Sequence, residues 1–200
     1  MGASVREIIS QPSALRRELL CQDKYVLAFV GELSARKNQA FLIKALNDIK
    51  ERIPNAVLWL VGDGTERESL ERLASEVDLS SSVMFLGSRV DACDLMRACD
   101  LYVSASMIEG MPFNIIEAMG CGKTILASQV KGHTDLIDEG VTGFMFKYGN
   151  TKEFVQKAVA IHNGELKVDS RDVIDRYSMY ANEKVFSETY EVIKESIFNA

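Results

Sequence analysis

The sequence predicts an α/β protein with a doubly wound, parallel six-stranded sheet, a Rossmann-like architecture. Six short segments are apolar throughout, which is typical of strands buried on both faces of a sheet. Segments with helical spacing of apolar residues separate them. This alternation indicates parallel strands joined by right-handed crossovers. A chain of 200 residues can bury one substantial core, so we expect a single domain with its core at about 24–150 and C-terminal helices over 151–200.

The predicted strands each end at a glycine, a polar residue or a turn. They are Tyr25–Val30, Ala56–Val61, Val83–Leu86, Asp100–Ser104, Thr124–Ala127 and Gly143–Phe146. Ligands of doubly wound sheets bind beyond the carboxyl ends of the strands, near the point where the strand order reverses. This rule selects the loops after the first four strands as the candidate ligand site.

The predicted helices fill the intervals between the strands and the C-terminal quarter of the chain. They lie at about 13–20, 38–52, 65–77, 92–99, 112–119, 134–140, 151–163, 169–176 and 181–198. Asn38 is a suitable N-cap, and Thr65 with Glu68 has the pattern of a capping box. Pro112 suits a first helical position, because its missing N–H needs no partner there.

Composition excludes several classes of function. The net charge of −6 argues against a nucleic-acid binder, which normally carries a basic patch. The longest apolar runs are too short to span a bilayer, and the first residues lack the apolar core of a signal peptide. The four cysteines form no Cys-x-x-Cys pair, so we predict no metal site and no cofactor. Free cysteines favour a reducing compartment, and we expect a cytoplasmic protein.

The most informative stretch is 107–123, where a strand feeds a helix through an acidic, glycine-containing loop. The N–H groups at the helix start and the helix dipole favour an anion. Glu109 and Glu117 could accept hydrogen bonds from hydroxyl groups. A ligand that carries phosphate and many hydroxyls would match this segment. Glu117 could be a solvated helical residue. Its apolar neighbours, however, predict a largely buried helix, in which a carboxylate needs a partner, although a buried charge can also be purely structural.

The other three loops give weaker signals. Lys37 could reach a phosphate at the sheet edge, but a solvated loop charge is the default interpretation. Gly62-Asp63-Gly64 lacks the third glycine and the later acidic residue of a dinucleotide fingerprint, so we exclude a nicotinamide cofactor. Arg89 could cover a nucleobase or lie on the surface. The two histidines, His133 and His162, give no support to a histidine relay.

Taken in order, these segments resemble the C-terminal half of GT-B retaining glycosyltransferases of group 1 (glycosyltransferase family 4). The matching residues are Val30-Gly31-Glu32-Leu33-Ser34 with Lys37, Leu60-Val61-Gly62-Asp63-Gly64 with Glu66 and Leu70, Val83-Met84-Phe85-Leu86-Gly87, Asp100-Leu101-Tyr102-Val103-Ser104, Glu109 through Gly122, Gly132, and Asp138-Glu139-Gly140 with Thr142-Gly143. The Glu-x7-Glu signature formed by Glu109 and Glu117 is the most specific part. The resemblance covers about residues 24–150.

The resemblance implies a nucleotide-sugar donor domain that acts without a metal. Glu109 would contact the donor sugar, Glu117 the ribose hydroxyls, and Lys37 the charge on the departing diphosphate. Lys37 and Glu109 would be the catalytic residues. The implied donor-binding residues are Gly31, Gly64, Ser88, Arg89, Val90, Gly110, Met111, Pro112, Phe113 and Glu117.

Two departures from the family pattern bear on function. Glu32 stands where the family usually has an arginine against the diphosphate, so charge support is expected from Lys37 and Arg36, with no direct contact between Glu32 and phosphate. The family's N-terminal domain, which binds most of the acceptor, has no counterpart in this chain. We therefore expect this chain to be the donor half of a longer protein. The missing half would bind an acceptor glycan or lipid-linked glycan, and the longer protein would associate peripherally with a membrane.

The implied activity is transfer of a sugar, with retention of configuration, from a nucleotide-diphosphate sugar. A uridine diphosphate sugar is the expected donor, and polysaccharide or cell-surface glycan synthesis is the expected context. Two alternatives stay open at this point: a non-catalytic nucleotide-sugar-binding module, and a GT-B nucleotide-sugar epimerase, which the Glu-x7-Glu signature fits less well. The identity of the sugar, the acceptor, the linkage and the oligomeric state cannot be predicted.

Overall fold

The computed structural model of the chain describes residues 12–180 and contains one six-stranded parallel sheet. Its strands are β1 (Tyr25–Val30), β2 (Ala56–Val61), β3 (Val83–Gly87), β4 (Leu101–Ser104), β5 (Ile125–Ser128) and β6 (Phe144–Phe146). The strand order is β3-β2-β1-β4-β5-β6, with parallel pairing at every step. The predicted doubly wound fold is confirmed, and each strand lies within a residue or so of its predicted position.

Eight α-helices and one 3₁₀ helix are found between residues 12 and 180. They are α1 (Pro12–Glu18), the 3₁₀ helix η1 (Ala35–Lys37), α2 (Gln39–Lys50), α3 (Arg67–Glu76), α4 (Ala92–Ala98), α5 (Phe113–Gly120), α6 (His133–Leu136), α7 (Thr151–His162) and α8 (Ser170–Ser178). The predicted helix over 181–198 lies outside the described residues. No helix within the described part of the chain is long and apolar enough to cross a membrane.

The strand order sets the position of the site. The chain builds β1, β2 and β3 in one direction and then returns to place β4 on the free side of β1. The crossovers on the two sides of this point diverge, and they leave a crevice at the carboxyl ends of β1 and β4. The loop that follows Val30 and the loop that follows Ser104 therefore meet, although they are far apart in sequence.

The core consists of two hydrophobic layers, one on each face of the sheet. Leu27, Phe29 and Leu58 face α2, α3 and α7, whereas Trp59 and Tyr102 face α1, α4, α5 and α8. The alternation of side chains along each strand produces this division. Trp59 is completely buried, as predicted from its position in the middle of a strand.

Three predicted helix starts differ from the structure. Asn38 makes no cap hydrogen bond and adopts a left-handed conformation with φ of 56° between η1 and α2. The expected capping box of Thr65 and Glu68 does not form; α3 begins at Arg67 without a side-chain cap. Pro112 is the N-cap of α5, one residue before its predicted place. In the first two cases contacts with a neighbouring loop, described below, determine the helix start.

The last two helices lie on opposite faces of the sheet. Phe154 of α7 is buried against the α2 side, and Val173 of α8 is buried against the α5 side. A Cβ at Gly120 would meet the Tyr177 ring at 3.0 Å, so this glycine allows α8 to pack closely on α5. The chain therefore crosses from one layer to the other after α7, and its last described helix supports the helix that begins at the site.

Candidate functional site

Three charged side chains meet at the carboxyl ends of β1 and β4. Lys37 Nζ donates to Glu109 Oε1 at 2.6 Å, and Arg36 NH1 donates to Glu109 Oε2 at 2.9 Å. The Glu109 side chain is 4% exposed and that of Lys37 10%, whereas that of Arg36 is 45% exposed. The structure thus brings together the two predicted catalytic residues, with Arg36 as a second cation on the solvent side.

Backbone contacts between the two loops hold this cluster. Met107 N donates to Arg36 O at 2.9 Å, and Asn38 Nδ2 donates to Ala105 O at 3.2 Å. The left-handed turn at Asn38 directs its side chain across the crevice instead of into α2. Asn38 therefore joins the loop after β1 to the loop after β4, which explains why it does not cap the helix.

A glycine from a third loop supports Glu109 from below. Gly132 has φ of 89°, and a Cβ there would lie 2.8 Å from the Glu109 Cβ and 2.9 Å from its carbonyl oxygen. A side chain at this position would displace the glutamate, in addition to the cost of a positive φ. The loop after β5 consequently fixes the position of Glu109.

Burial raises the pKa of Glu109, but hydrogen bonds from Lys37, Ser106 and Arg36 and the charge of Lys37 outweigh it and leave the pKa below its usual value. Glu109 is therefore a carboxylate at neutral pH. In this state both of its oxygens are occupied by cations. An incoming anion that takes Lys37 and Arg36 would release the carboxylate for another ligand group.

Free backbone donors lie beside the cluster. The N–H groups of Gly110 and Met111 find no acceptor among residues 12–180, and both residues are exposed. They precede α5, whose N-cap Pro112 has no N–H of its own. Together with the helix dipole they offer an anion seat, as the sequence predicts, next to the cations of the cluster.

Glu117, the second carboxylate of the signature, is an exposed side chain on an otherwise buried helix. Its side chain is exposed in α5 although its neighbours on both sides are buried, and no described residue forms an ion pair or hydrogen bond with it. Surrounding protein nevertheless raises its pKa by desolvation. The carboxylate is therefore open to solvent or to a ligand, and its role in binding stays a prediction.

A cleft of about 340 Å³ lies at the ends of β1, β2 and β3. Its lining residues are Val30, Gly31, Glu32, Val61, Gly62, Asp63, Ser88, Arg89 and Ala92. The cleft is narrow at its base, because a Cβ at Gly62 would lie 2.0 Å from the carbonyl oxygen of Gly31. Three predicted donor-binding residues, Gly31, Ser88 and Arg89, therefore line the same cleft.

Two further residues of the predicted donor set, Gly64 and Val90, are not among the residues that line this cleft. Val90 is fully exposed and does not line it. Gly64 packs against the backbone of Leu33, where a Cβ would lie 2.3 Å from the carbonyl oxygen, so close packing accounts for this glycine. The Nε and Nη2 atoms of Arg89 each donate to an oxygen of Asp91 at 2.7 Å, and these hydrogen bonds hold the pKa of Asp91 below its usual value.

Sequence reasoning missed a buried amide at the base of the site. Asn114 Nδ2 donates to Val30 O at 3.0 Å, and Tyr102 OH donates to the same oxygen at 3.2 Å. Asn114 is 9% exposed, and its Oδ1 has no partner in the described structure. An asparagine between apolar residues on a predicted buried helix was the signal that could have identified it.

Within the described residues no group of three or more His, Cys, Asp or Glu side chains is arranged to hold a metal ion. The arrangement can instead bind an anion between Lys37, Arg36 and the N–H groups of Gly110 and Met111. The segment that carries these N–H groups also carries two carboxylates, Glu109 and Glu117. This chemistry suits a ligand with a phosphate group and hydroxyl groups.

Comparison with known proteins agrees with this geometry. A family model described as "Glycosyl transferases group 1" matches residues 11–178. The UDP-Gal:alpha-D-GlcNAc-diphosphoundecaprenol alpha-1,3-galactosyltransferase of Escherichia coli is 29% identical over 145 residues, which cover 71% of this chain and 38% of that protein. The lipopolysaccharide core biosynthesis glycosyltransferase LpsD of Rhizobium meliloti is 37% identical over 110 residues, 55% of this chain and 31% of LpsD.

Among solved structures, Anabaena HepE in complex with UDP-glucose is similar with a TM-score of 0.77 and 28% identity. The match covers 96% of this chain and 53% of HepE. The chain thus spans between about a third and a half of the length of these three proteins.

Proposed function

The chain belongs to the group 1 glycosyltransferase family, and from this premise we propose that it is the nucleotide-sugar donor half of a retaining enzyme of the GT-B class (glycosyltransferase family 4). The observation that carries the proposal is the Lys37–Glu109–Arg36 cluster beside the free N–H groups of Gly110 and Met111. It supplies positive charge, backbone donors and a carboxylate within one crevice.

The donor we propose is a uridine diphosphate sugar. HepE, which is 28% identical, has been crystallised with UDP-glucose and with UDP, and the name of the E. coli relative contains UDP-Gal. The diphosphate would lie on the N–H groups of Gly110 and Met111, with Lys37 and Arg36 on its oxygens. Pro112 and Phe113 would shape the start of the helix behind it.

The base and the ribose would extend on opposite sides of the diphosphate. The cleft lined by Gly31, Ser88 and Arg89 would receive the base, with Val90 over its mouth. Glu117, which has no partner among residues 12–180, would accept the ribose hydroxyls. Arg89 is held by Asp91, so it offers a planar, fixed surface and not a mobile charge.

Lys37 and Glu109 would perform the chemistry in sequence. Lys37 stabilises the negative charge that develops on the leaving diphosphate, the electrostatic role that dominates such transfers. Glu109, once its cations turn to the diphosphate, accepts hydrogen bonds from the donor sugar and orients its anomeric carbon. In the proposed reaction the sugar keeps its anomeric configuration. It is transferred to a glycan or lipid-linked acceptor that a second domain holds.

Calorimetric titration of the chain with UDP, GDP and ADP tests the donor site. We expect UDP to bind in the micromolar to millimolar range, and Glu117→Gln to weaken it. Lys152→Gln on the exposed side of α7 is the matched control. Absence of binding by all three nucleotides at millimolar concentration would refute the donor-site proposal.

Transfer by the full-length protein tests the catalytic roles. Lys37→Ala and Glu109→Ala are each expected to lower the rate by at least about a hundredfold. Unchanged rates in both variants would refute the catalytic roles of Lys37 and Glu109. The anomeric configuration of the product, read by NMR before it equilibrates, tests retention directly.

A further inference from the structure

A chain of four buried polar residues lies directly behind Glu109. Ser104 is the last residue of β4, and Ser106 lies two residues after it. Ser128 is the last residue of β5, and His133 is the first residue of α6. All four are 0% exposed. Polar groups buried this deeply cost free energy unless they are hydrogen-bonded, and an apolar residue would pack here without that requirement. The donor contacts proposed above use none of them.

The hydrogen bonds determine which nitrogen of His133 carries a proton. Nδ1 lies 2.8 Å from the carbonyl oxygen of Ser128, which can only accept, so Nδ1–H is the donor. Nε2 lies 3.3 Å from Ser104 Oγ, which in turn lies 3.3 Å from Ser106 Oγ. The Ser106 hydroxyl in turn interacts with the Glu109 carboxylate and helps to hold its pKa below the usual value. The imidazole and the carboxylate are thus joined through two hydroxyl groups.

A proton count distinguishes two states of this chain. Three links join the Nε2 atom to the carboxylate, and the two serine hydroxyls supply two protons. With neutral His133, one link therefore lacks a proton. With a proton on Nε2, all three links are filled, and every donor points toward Glu109. Additional negative charge at Glu109 favours the second state.

The charges around His133 depend on the same ion pair. Burial lowers the pKa of His133, and the charge of Lys37 acts in the same direction, whereas the charge of Glu109 opposes both. Asp135 on the same helix is directed to the N–H of Gly132. Removal of Lys37 and Arg36 from Glu109 by a diphosphate would therefore leave His133 facing an uncompensated carboxylate.

We propose that His133 is a positioning residue that holds the Glu109 carboxylate, through Ser104 and Ser106, when the donor diphosphate takes Lys37. The inference rests on the proposed function for the event that frees Glu109. The link from His133 to Ser106 rests on the distances above, and the link from Ser106 to Glu109 rests on the effect of this hydroxyl on the carboxylate. His133 touches no ligand in this scheme and acts through Glu109 alone.

Imidazole ¹⁵N NMR of the ligand-free chain tests the link without any nucleotide. The chain has two histidines, so His162→Gln assigns both sets of signals and serves as the control variant. We expect His133 in the Nδ1–H form at pH 7, with signals that move in Glu109→Gln. The same substitution should move them less than half as far when Ser106 is alanine. Signals that ignore Glu109→Gln, or that respond equally with and without Ser106, would overturn the proposal.

The ratio of UDP-glucose affinity to UDP affinity tests the positioning role. His133→Phe should weaken UDP-glucose about tenfold relative to UDP, the effect of one hydrogen bond to a charged group, and His133→Gln should restore most of the ratio. Equal loss of both affinities would indicate structural damage and contradict positioning. If UDP and UDP-glucose both fail to bind the unmodified chain, the proposed function is refuted, and the NMR result still decides the link.

Discussion

Replacing Lys37 by methionine tests whether the buried ion pair stabilises the fold in the absence of ligand. Methionine keeps most of the length of the side chain and removes its charge. Glu109 then stays 4% exposed with Arg36 as its remaining cation. We expect the free energy of unfolding at pH 7 to fall by about 2 kcal/mol.

The magnitude follows from the geometry. Lys37 Nζ lies 2.6 Å from Glu109 Oε1, which gives a Coulomb attraction of about 6 kcal/mol at an effective dielectric constant of about 20. Desolvation of two side chains that are 10% and 4% exposed offsets much of it. Arg36 limits the damage further, because it still holds Oε2 at 2.9 Å. The estimate therefore lies below the roughly 3–5 kcal/mol for a buried charge left with no partner.

Urea unfolding of four proteins measures this term: unmodified chain, Lys37→Met, Glu109→Gln and the double variant. The double variant should be more stable than the sum of the single losses predicts, by about 1–2 kcal/mol. The pKa of Glu109 is lower in the folded state, so its contribution is complete above the unfolded pKa and disappears as the pH falls through the folded pKa. The coupling should therefore vanish in acid.

Lys152→Met, at an exposed position of α7, is the matched control and should leave the urea midpoint unchanged. Strictly additive losses at pH 7, or a Lys37→Met midpoint equal to that of the unmodified chain, would refute the reasoning. Either result would mean that Glu109 is solvated or neutral in the folded protein.

Three further predictions concern other parts of the molecule. Desolvation raises the pKa of Glu117, so its ionised form lowers the free energy of unfolding as the pH rises. Glu117→Gln should therefore raise the urea midpoint at pH 7, although it should weaken UDP binding. Gly62→Ala places a Cβ 2.0 Å from a backbone oxygen and should cost more than about 3 kcal/mol, whereas Gly149→Ala, also at positive φ but in open space, should cost about 1 kcal/mol. Exposed Cys93 should react with a thiol reagent in the native chain, while Cys99, whose pKa burial raises to about 12, should react upon unfolding; mass spectrometry of the labelled chain would show a contrary order directly.

The strands could be predicted from the sequence because continuous apolar runs such as Ala56–Val61 leave little choice of structure. The helix starts could not, because a neighbouring loop determines them. Glu66 N donates to Leu33 O at 3.1 Å, and this contact starts α3 after Thr65, which had the better capping pattern. Local propensity is a weak guide where another loop supplies the hydrogen bonds.

The site was predicted in its parts but not in its contacts. Lys37 and Glu109 are 72 residues apart, and they meet because β4 pairs with β1, a strand order that apolar runs do not specify. The exposure of Glu117 was one of two interpretations that the sequence left open. Its apolar neighbours favoured a buried helix, and the structure buries them but leaves this one side chain exposed. Such pairings depend on topology, which follows from packing of the whole chain.

The ends of the described chain have a practical consequence. Leu15 of α1 and Tyr177 of α8 pack in the same hydrophobic layer, on one face of the sheet. A flexible linker could join these two helices without crossing the sheet, and new termini could be opened at the exposed turn around Gly149. A circularly permuted domain of this kind would carry its termini at the carboxyl end of the edge strand β6, two strands from β4, where fused reporter proteins could follow nucleotide binding beside the crevice.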